Sequence, residues 1–318
     1  MPRCVILALN GGPLTSVVGP LEILTLAARV AGAQDWQFEV VSDATTAEAA
    51  SGPFLSGMGR FAAVEKADAL IIAAIGDPRR RAEAIRADTL QRVRTLAQQN
   101  TQLISICSGA YVLASAGLLN GRQATCHWLM APWMARQFPQ CQWQPQAMIT
   151  RDGNIWCSGG ASAWQDISLS LVQHWFGSDT AQQCARLLLL EHDRDDQRRY
   201  MGFAAGRQHQ DHLIHQAQDW LDQHAGEVFT LEQLAARVNL SERQFKRRFT
   251  AAVQMPPRTY VQSLRMEQAK RALVQSKRQV DSIARACGYE DVRFFRALFR
   301  RSTGLTPQAY RAKFSAQA

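Results

Sequence analysis

The stretch Val280-Asp281-Ser282-Ile283-Ala284-Arg285-Ala286-Cys287-Gly288-Tyr289-Glu290-Asp291-Val292-Arg293-Phe294-Phe295-Arg296-Ala297-Leu298-Phe299 decides the fold of the last third of the chain. Val280–Cys287 has the apolar spacing of a short helix, Gly288-Tyr289 reads as a turn, and a second helix follows. Phe295 and Phe299, four residues apart, lie on one face of that second helix. Helix, tight turn and helix with one apolar face make a helix-turn-helix.

Working outward, the arrangement recurs about fifty residues earlier, where Leu231–Val238 is followed by Asn239-Leu240-Ser241 and then by Glu242–Phe249. Ala235 corresponds to Ala284 at an offset of 49, while Phe245, Phe249, Pro257 and Tyr260 correspond to Phe295, Phe299, Pro307 and Tyr310 at 50. One inserted turn residue reconciles the two. A duplication with matched core positions is a stronger signal than either copy alone. Thr230 with Gln233 forms a candidate capping box, and Ser241 is a second N-cap. Between the copies, 260–275 reads as a long helix carrying Val261, Leu264, Met266, Ala269 and Leu273. Such a spacer would hold two recognition helices apart, and successive major-groove segments lie about 34 Å apart on one DNA face.

Charge points the same way. Residues 214–318 hold 18 Lys and Arg against 9 Asp and Glu, so the chain's whole excess of +9 resides there and residues 1–213 are neutral. A neutral body with a basic end fits a polyanionic partner, because each neutralised phosphate releases counterions. On the outer face of the first recognition helix stand Arg243, Gln244, Lys246 and Arg247. Arg293 and Arg296 occupy that face of the second. These are the candidate DNA-binding residues; basic groups at such helices divide between phosphate and base contacts.

Residues 214–314 closely resemble the DNA-binding domain of the AraC/XylS regulators, with Gly288-Tyr289-Glu290-Asp291, Phe299-Arg300-Arg301 and Gly304-Leu305-Thr306-Pro307-Gln308-Ala309-Tyr310-Arg311 fitting that family's C-terminal signature. The resemblance implies double-stranded promoter or operator DNA as partner. It turns Arg243 and Arg247, then Val292, Arg293, Arg296 and Ala297, toward the major groove. Val292 and Ala297 offer no hydrogen bond to a base and could contact a thymine methyl at most.

The first two hundred residues alternate short apolar runs (5–9, 38–42, 69–75, 103–106) with helical patterns (19–31, 80–98, 109–116, 163–176). This predicts a doubly wound, flavodoxin-like α/β domain ahead of an all-α domain with two helix-turn-helix units. The expected division is 1–192 for the α/β domain, 193–213 for a charge-dense linker and 214–318 for the helical domain. Ligands of such sheets bind at the carboxyl ends of the strands. There the run Leu103-Ile104-Ser105-Ile106-Cys107-Ser108-Gly109-Ala110 places a cysteine at a strand–turn–helix elbow, where a helix N-terminus would favour the thiolate. Thr125-Cys126-His127-Trp128 follows twenty residues on, which makes Cys107 and His127 a candidate thiol–imidazole pair. Glu22, in Gly19-Pro20-Leu21-Glu22, could reach the same strand ends. Asn10-Gly11-Gly12-Pro13 lacks the spacing of a dinucleotide fingerprint.

Residues 3–190 resemble the PfpI/ThiJ branch of the class I glutamine-amidotransferase-like superfamily, on the Cys107 elbow, His127, the run 109–121 and Asp152-Gly153-Asn154-Ile155-Trp156-Cys157-Ser158-Gly159-Gly160-Ala161. By that resemblance Glu22, Cys107 and His127 share one pocket, and Ser108 is a further candidate ligand-binding residue. Fusion of such a domain to an AraC-type end implies a regulator, not an enzyme, that responds to a small nitrogenous metabolite. The resemblance also implies a homodimer, with RNA polymerase a further candidate partner. Three readings of Cys107 stay open: an unreactive pocket residue, a redox or electrophile sensor, or a nucleophile. The rival is a cysteine-dependent hydrolase or glyoxalase-like enzyme with an appended DNA-binding tail.

No cofactor is expected. His209, His212 and His215 share a helical spacing, but no neighbouring carboxylate or cysteine completes a metal set. Seven scattered cysteines without a CxxC fit a reduced, cytoplasmic protein better than a disulfide scaffold. No run approaches the roughly 18 apolar residues of a membrane span.

Overall fold

A computed structural model describes residues 1–315 except 44, 45, 49–51, 53, 57, 81–84, 192, 193, 195, 204, 205 and 208. The chain divides into two compact units, Met1–Gln197 and Arg198–Ala318. The division falls inside the segment read as a linker, part of which lies outside the described residues.

The first unit is built on a seven-stranded sheet in the order Ile149–Asp152, Ile155–Ser158, Gln102–Ile106, Ala69–Ile72, Arg3–Ala8, Gln37–Ser42 and Gly59–Arg60. All neighbours are parallel except the first two strands, which form an antiparallel hairpin. The central strands are apolar on both faces because both faces are covered. Val5, Leu7, Leu70, Ile72 and Leu103 point into one core with Val93 and Leu96 of the helix Ala87–Gln98. Cys4, Ile6, Ile71, Ile104 and Ile106 point into the other. There they meet Ile23 and Leu24 of the helix Thr15–Val30 and Leu171 and Val172 of Trp164–Phe176. Alternation with period two thus divides one sheet between two cores. This is the expected flavodoxin-like α/β fold.

The helix read over 80–98 runs Ala87–Gln98, with 81–84 outside the described residues, and further features differ from the sequence reading. The hairpin strands Ile149–Asp152 and Ile155–Ser158, turning at Gly153 (φ 60°), are too short and too polar on the outer one to stand out. The first helix begins at Thr15, not at Gly19, so Pro20 lies inside it. A proline there removes one helical hydrogen bond. Its neighbour Gly19 lets the helix press on Trp164, whose ring carbons lie 2.4 Å from where a Cβ would stand.

The second unit has seven α-helices among the described residues: His212–His224, Leu231–Arg237, Glu242–Val253, Pro257–Gln275, Val280–Ala286, Val292–Thr303 and Pro307–Phe314. Two cores form, one per repeat. Leu234, Phe245, Phe249 and Tyr260 lie in the first; Ile283, Phe295, Phe299 and Tyr310 lie in the second. The spacer helix gives Tyr260 and Val261 to one core and Met266, Ala269 and Leu273 to the other. It is therefore a shared structural member, as the duplicated pattern predicts. The inserted turn residue can also be placed. Asn239 (φ 54°) and Gly288 (φ 78°) are the equivalent left-handed turn positions, offset by 49, whereas the N-caps Ser241 and Asp291 are offset by 50. Leu240 in one copy thus faces Tyr289-Glu290 in the other.

Candidate functional site

The elbow after Gln102–Ile106 has the backbone that an exposed or pocket-facing side chain needs at a sharp strand-to-helix turn. Cys107 adopts φ 54°, a left-handed conformation that costs a non-glycine residue about 1–3 kcal/mol. A Cβ on Gly109 would lie 2.5 Å from the Ile72 carbonyl oxygen and 2.9 Å from that of Ala73, so only glycine lets the elbow sit on the neighbouring strand end. Ser108 completes the anchorage: its Oγ accepts from the Ile75 N–H at 2.9 Å. Ser108, a candidate ligand contact, is buried and ties the elbow to the adjacent loop.

The electrostatics of Cys107 run against the expectation of a thiolate. The residue is 7% exposed, and burial pushes its thiol from 9.0 to about 11. Hydrogen bonds from the Ser108 backbone and hydroxyl and from the His127 backbone offset this only in part. The helix behind the elbow, Ala110–Ser115, is short, so its dipole is weak and desolvation wins. At neutral pH the group is a thiol.

His127 is beside Cys107, but the contact bearing on the thiol comes from its main chain, not its imidazole. The half-buried ring accepts from the Leu129 N–H at Nδ1 (3.1 Å) and lies 5.5 Å from the Trp128 ring. Burial lowers its pKa and so favours the neutral imidazole, in which a ring accepting at Nδ1 carries its proton on Nε2.

Glu22 does not join them. It is exposed on the helix Thr15–Val30, about 10 Å along the axis from its first residue. The buried polar residue at that helix start is Ser16, whose Oγ donates to the Pro13 carbonyl (2.7 Å) and accepts from the Ala74 N–H (3.2 Å). The earlier helix start moves Glu22 outward and Ser16 in. The glycines of Asn10-Gly11-Gly12-Pro13 serve backbone packing here, since a Cβ on Gly12 would stand 1.7 Å from the Ala74 carbonyl oxygen.

A residue not singled out in the sequence fills the space next to His127. Gln197 is 2% exposed, and its Nε2 donates toward Cys126 O (3.0 Å), Ala147 O (3.0 Å), Pro145 O (3.1 Å) and Thr125 Oγ1 (3.3 Å). Its Oε1 accepts from the Trp128 N–H at 3.3 Å. A Cβ on Gly159 would meet the Gln197 carboxamide at 2.3 Å, while one on Gly160 would reach His127 Cδ2 at 4.0 Å. Gln197 sits in a charge-rich run without periodicity, so no local pattern marks it.

In the helical unit, Arg243, Gln244, Lys246, Arg247, Arg293 and Arg296 are all exposed, opposite the buried phenylalanines. Their commitments differ. Gln244 closes a capping box, its Oε1 accepting from the Ser241 N–H at 3.0 Å, so its carbonyl is already used for the helix start. Lys246 pairs with Glu242, and Arg296 with Asp281 at 2.7 Å. Exposed pairs of this kind hold about 0–1 kcal/mol, less than a base or phosphate contact returns, so both can exchange partners. Arg243, Arg247 and Arg293 have no ion-pair partner among the described residues. Phe294, 54% exposed beside Arg293, was not anticipated on this face. Arg248 instead holds Asp211 through two hydrogen bonds of 2.9 Å, which keeps that carboxyl below the usual range.

His209 and His215 stack at 4.0 Å, with Nε2 of the first on Gln218 and of the second on the His209 carbonyl. These contacts account for the histidine spacing.

Comparison with known proteins agrees with both halves. A DJ-1/PfpI family model matches residues 15–174, and a helix-turn-helix domain model matches residues 234–313. The chain is 28% identical over 310 residues to the HTH-type transcriptional regulator CdhR of Pseudomonas aeruginosa, covering 96% of this chain and 90% of that protein. It is 39% identical over 95 residues to isonitrile hydratase of Pseudomonas putida, 30% of this chain and 40% of the enzyme. A crystal structure from Vibrio parahaemolyticus, described as a transcriptional regulator, matches with a TM-score of 0.55 at 27% identity over 59% of this chain and 98% of that one. With half of its length matched by that family model, the chain belongs to the DJ-1/PfpI family, and it carries a helix-turn-helix domain behind that body.

Proposed function

We propose that this chain is a ligand-responsive, sequence-specific DNA-binding transcriptional regulator whose α/β unit senses a small nitrogenous metabolite. One observation carries the reading: two helix-turn-helix units share a spacer helix and present exposed recognition faces on which Arg243, Arg247 and Arg293 are uncommitted to carboxylates. The effector site lies at the strand ends around Cys107 and His127, with Cys107 lining it as an unreactive thiol. A coupling of about 1–3 kcal/mol between effector and DNA would change affinity roughly 5- to 150-fold. The protein acts in the cytoplasm as a homodimer on promoter DNA, with RNA polymerase as the partner of its regulatory output.

The strained backbone at Cys107 favours a second reading, a cysteine-dependent enzyme, because such elbows present nucleophiles. The raised thiol pKa and the backbone contact from His127 weigh against it. Turnover abolished by Cys107→Ala with the DNA response unchanged would favour the enzyme; the DNA-binding half of the reading is tested by fluorescence anisotropy on a DNA site selected by the wild-type protein. Arg247→Ala and Arg293→Ala should each weaken specific binding by about 1–3 kcal/mol. Wild-type affinity in both variants would refute the placement of the recognition helices.

A further inference from the structure

We infer that two copies of this chain pair through the outer face of the helix Ser178–Leu187 and the leucines that end it, the two helices running antiparallel about a two-fold axis between Gln182 and Gln183. The inference rests on the proposed homodimer and names the contact that forms it.

The helix buries Ala181, Cys184 and Ala185 and turns the opposite face, with Asp179, Gln183 and Arg186, to solvent. Its end is unusual. The Leu190 N–H donates to the Ala185 carbonyl (2.9 Å) and the Leu189 N–H to that of Arg186 (3.3 Å), the pattern that closes a helix through a left-handed residue. Glycine is the common residue there. Here it is Leu189, at φ 53° and 91% exposed, with Leu187 59% exposed beside it. A leucine in that place is unfavourable both in backbone conformation and in hydration, and no packing among the described residues offsets either. Along the helix lies a groove of about 710 Å³ whose walls include Gln182, Ala185, Leu189 and Leu190.

Charge selects the occupant. Asp179 and Arg186 stand seven residues apart, two turns or about 10 Å along one face. Neither has an ion-pair partner among the described residues. With acid near the first turn and base in the last, the face is complementary to a reversed copy of itself. Antiparallel pairing sets each Asp179 against the partner's Arg186 and aligns the helix dipoles favourably. The same register carries Leu189 to the partner's Phe176. That ring belongs to a half-buried aromatic cluster in which Trp36 lies 4.8 Å from Trp175 and 5.1 Å from Phe176. One two-fold operation thus brings acid to base and leucine to aromatic ring, as an isologous interface requires.

The test is sedimentation equilibrium of the full chain. Asp179→Lys places two like-charge contacts across the axis and should raise the dimer Kd by about tenfold or more. Asp179→Lys combined with Arg186→Glu reverses both partners and should restore association to within about threefold of wild type. Leu189→Gly relieves the left-handed backbone, so the circular dichroism spectrum should be kept, yet the dimer should weaken by about tenfold or more as the leucine contact is lost. A wild-type Kd in Asp179→Lys and in Leu189→Gly would overturn the inference, as would a double variant that associates no better than Asp179→Lys alone. Those results would leave the homodimer standing with its contact elsewhere. A wild-type chain that stays monomeric at every concentration would sink the homodimer reading along with the inference.

Discussion

Alkylation of Cys107 as a function of pH discriminates most sharply between a pocket-lining thiol and a nucleophile. Burial raises the thiol from 9.0 to about 11, so at pH 7 about one molecule in ten thousand carries the thiolate. An ordinary thiol at 9.0 would have about one in a hundred, so protonation alone slows the reaction about 100-fold. The restricted access of a residue only 7% exposed slows it further. Iodoacetamide labelling, followed at residue 107 by peptide mass mapping, should rise about tenfold per pH unit from pH 7 toward 10 with no plateau. A plateau below pH 8, or a rate at pH 7 matching that of a free thiol, would refute the argument and restore the catalytic or redox reading. The same shift has a thermodynamic counterpart. The folded form holds its proton more tightly than the unfolded chain, so the contribution is complete below about pH 9 and is lost as pH rises toward 11. Two pH units correspond to roughly 2–3 kcal/mol. Cys107→Ala should flatten the alkaline fall in unfolding free energy by a comparable amount.

Other outcomes follow from single contacts. Gly109→Ala places a methyl 2.5 Å from the Ile72 carbonyl oxygen and should lower stability by about 1–3 kcal/mol, visible in a urea melt. Gln244→Ala removes a capping-box partner, so it should cost about 1 kcal/mol of stability while preserving discrimination between cognate and scrambled DNA. Loss of that discrimination would return Gln244 to the base-reading set. Glu22→Gln, on an exposed helical position, should leave effector binding measured by calorimetry within about twofold of wild type. Arg248→Ala leaves Asp211 without its bidentate partner and should lower Tm, reducing DNA binding only where unfolding begins.

Much of this architecture was written locally. Phe245 and Phe249, repeated as Phe295 and Phe299, sit four apart because a helix returns to the same face at that spacing, and all four are buried. Thr230 with Gln233 and Ser241 before Glu242 cap their helices over three residues, a range that sequence displays directly. The apolar runs of the central strands show which segments are buried on both sides. The arginines of the recognition faces could be placed by the same periodicity, without knowledge of what they touch.

The candidate site depended on groups far apart in the chain. Whether Glu22 or Ser16 stands at the strand ends turned on a helix start displaced by four residues, since each residue rotates the face by about 100°. Cys107 lies at the elbow the sequence placed it in, yet its protonation is set by burial beneath segments distant in sequence, which outweighs a short helix dipole. Gln197 meets its acceptors across separations of 50 to 72 residues. Periodicity and capping are interactions within a few residues and so are legible along the chain. Burial, desolvation and the convergence of several carbonyls on one nitrogen exist only after the sheet has set its register, and only the tertiary structure decided them.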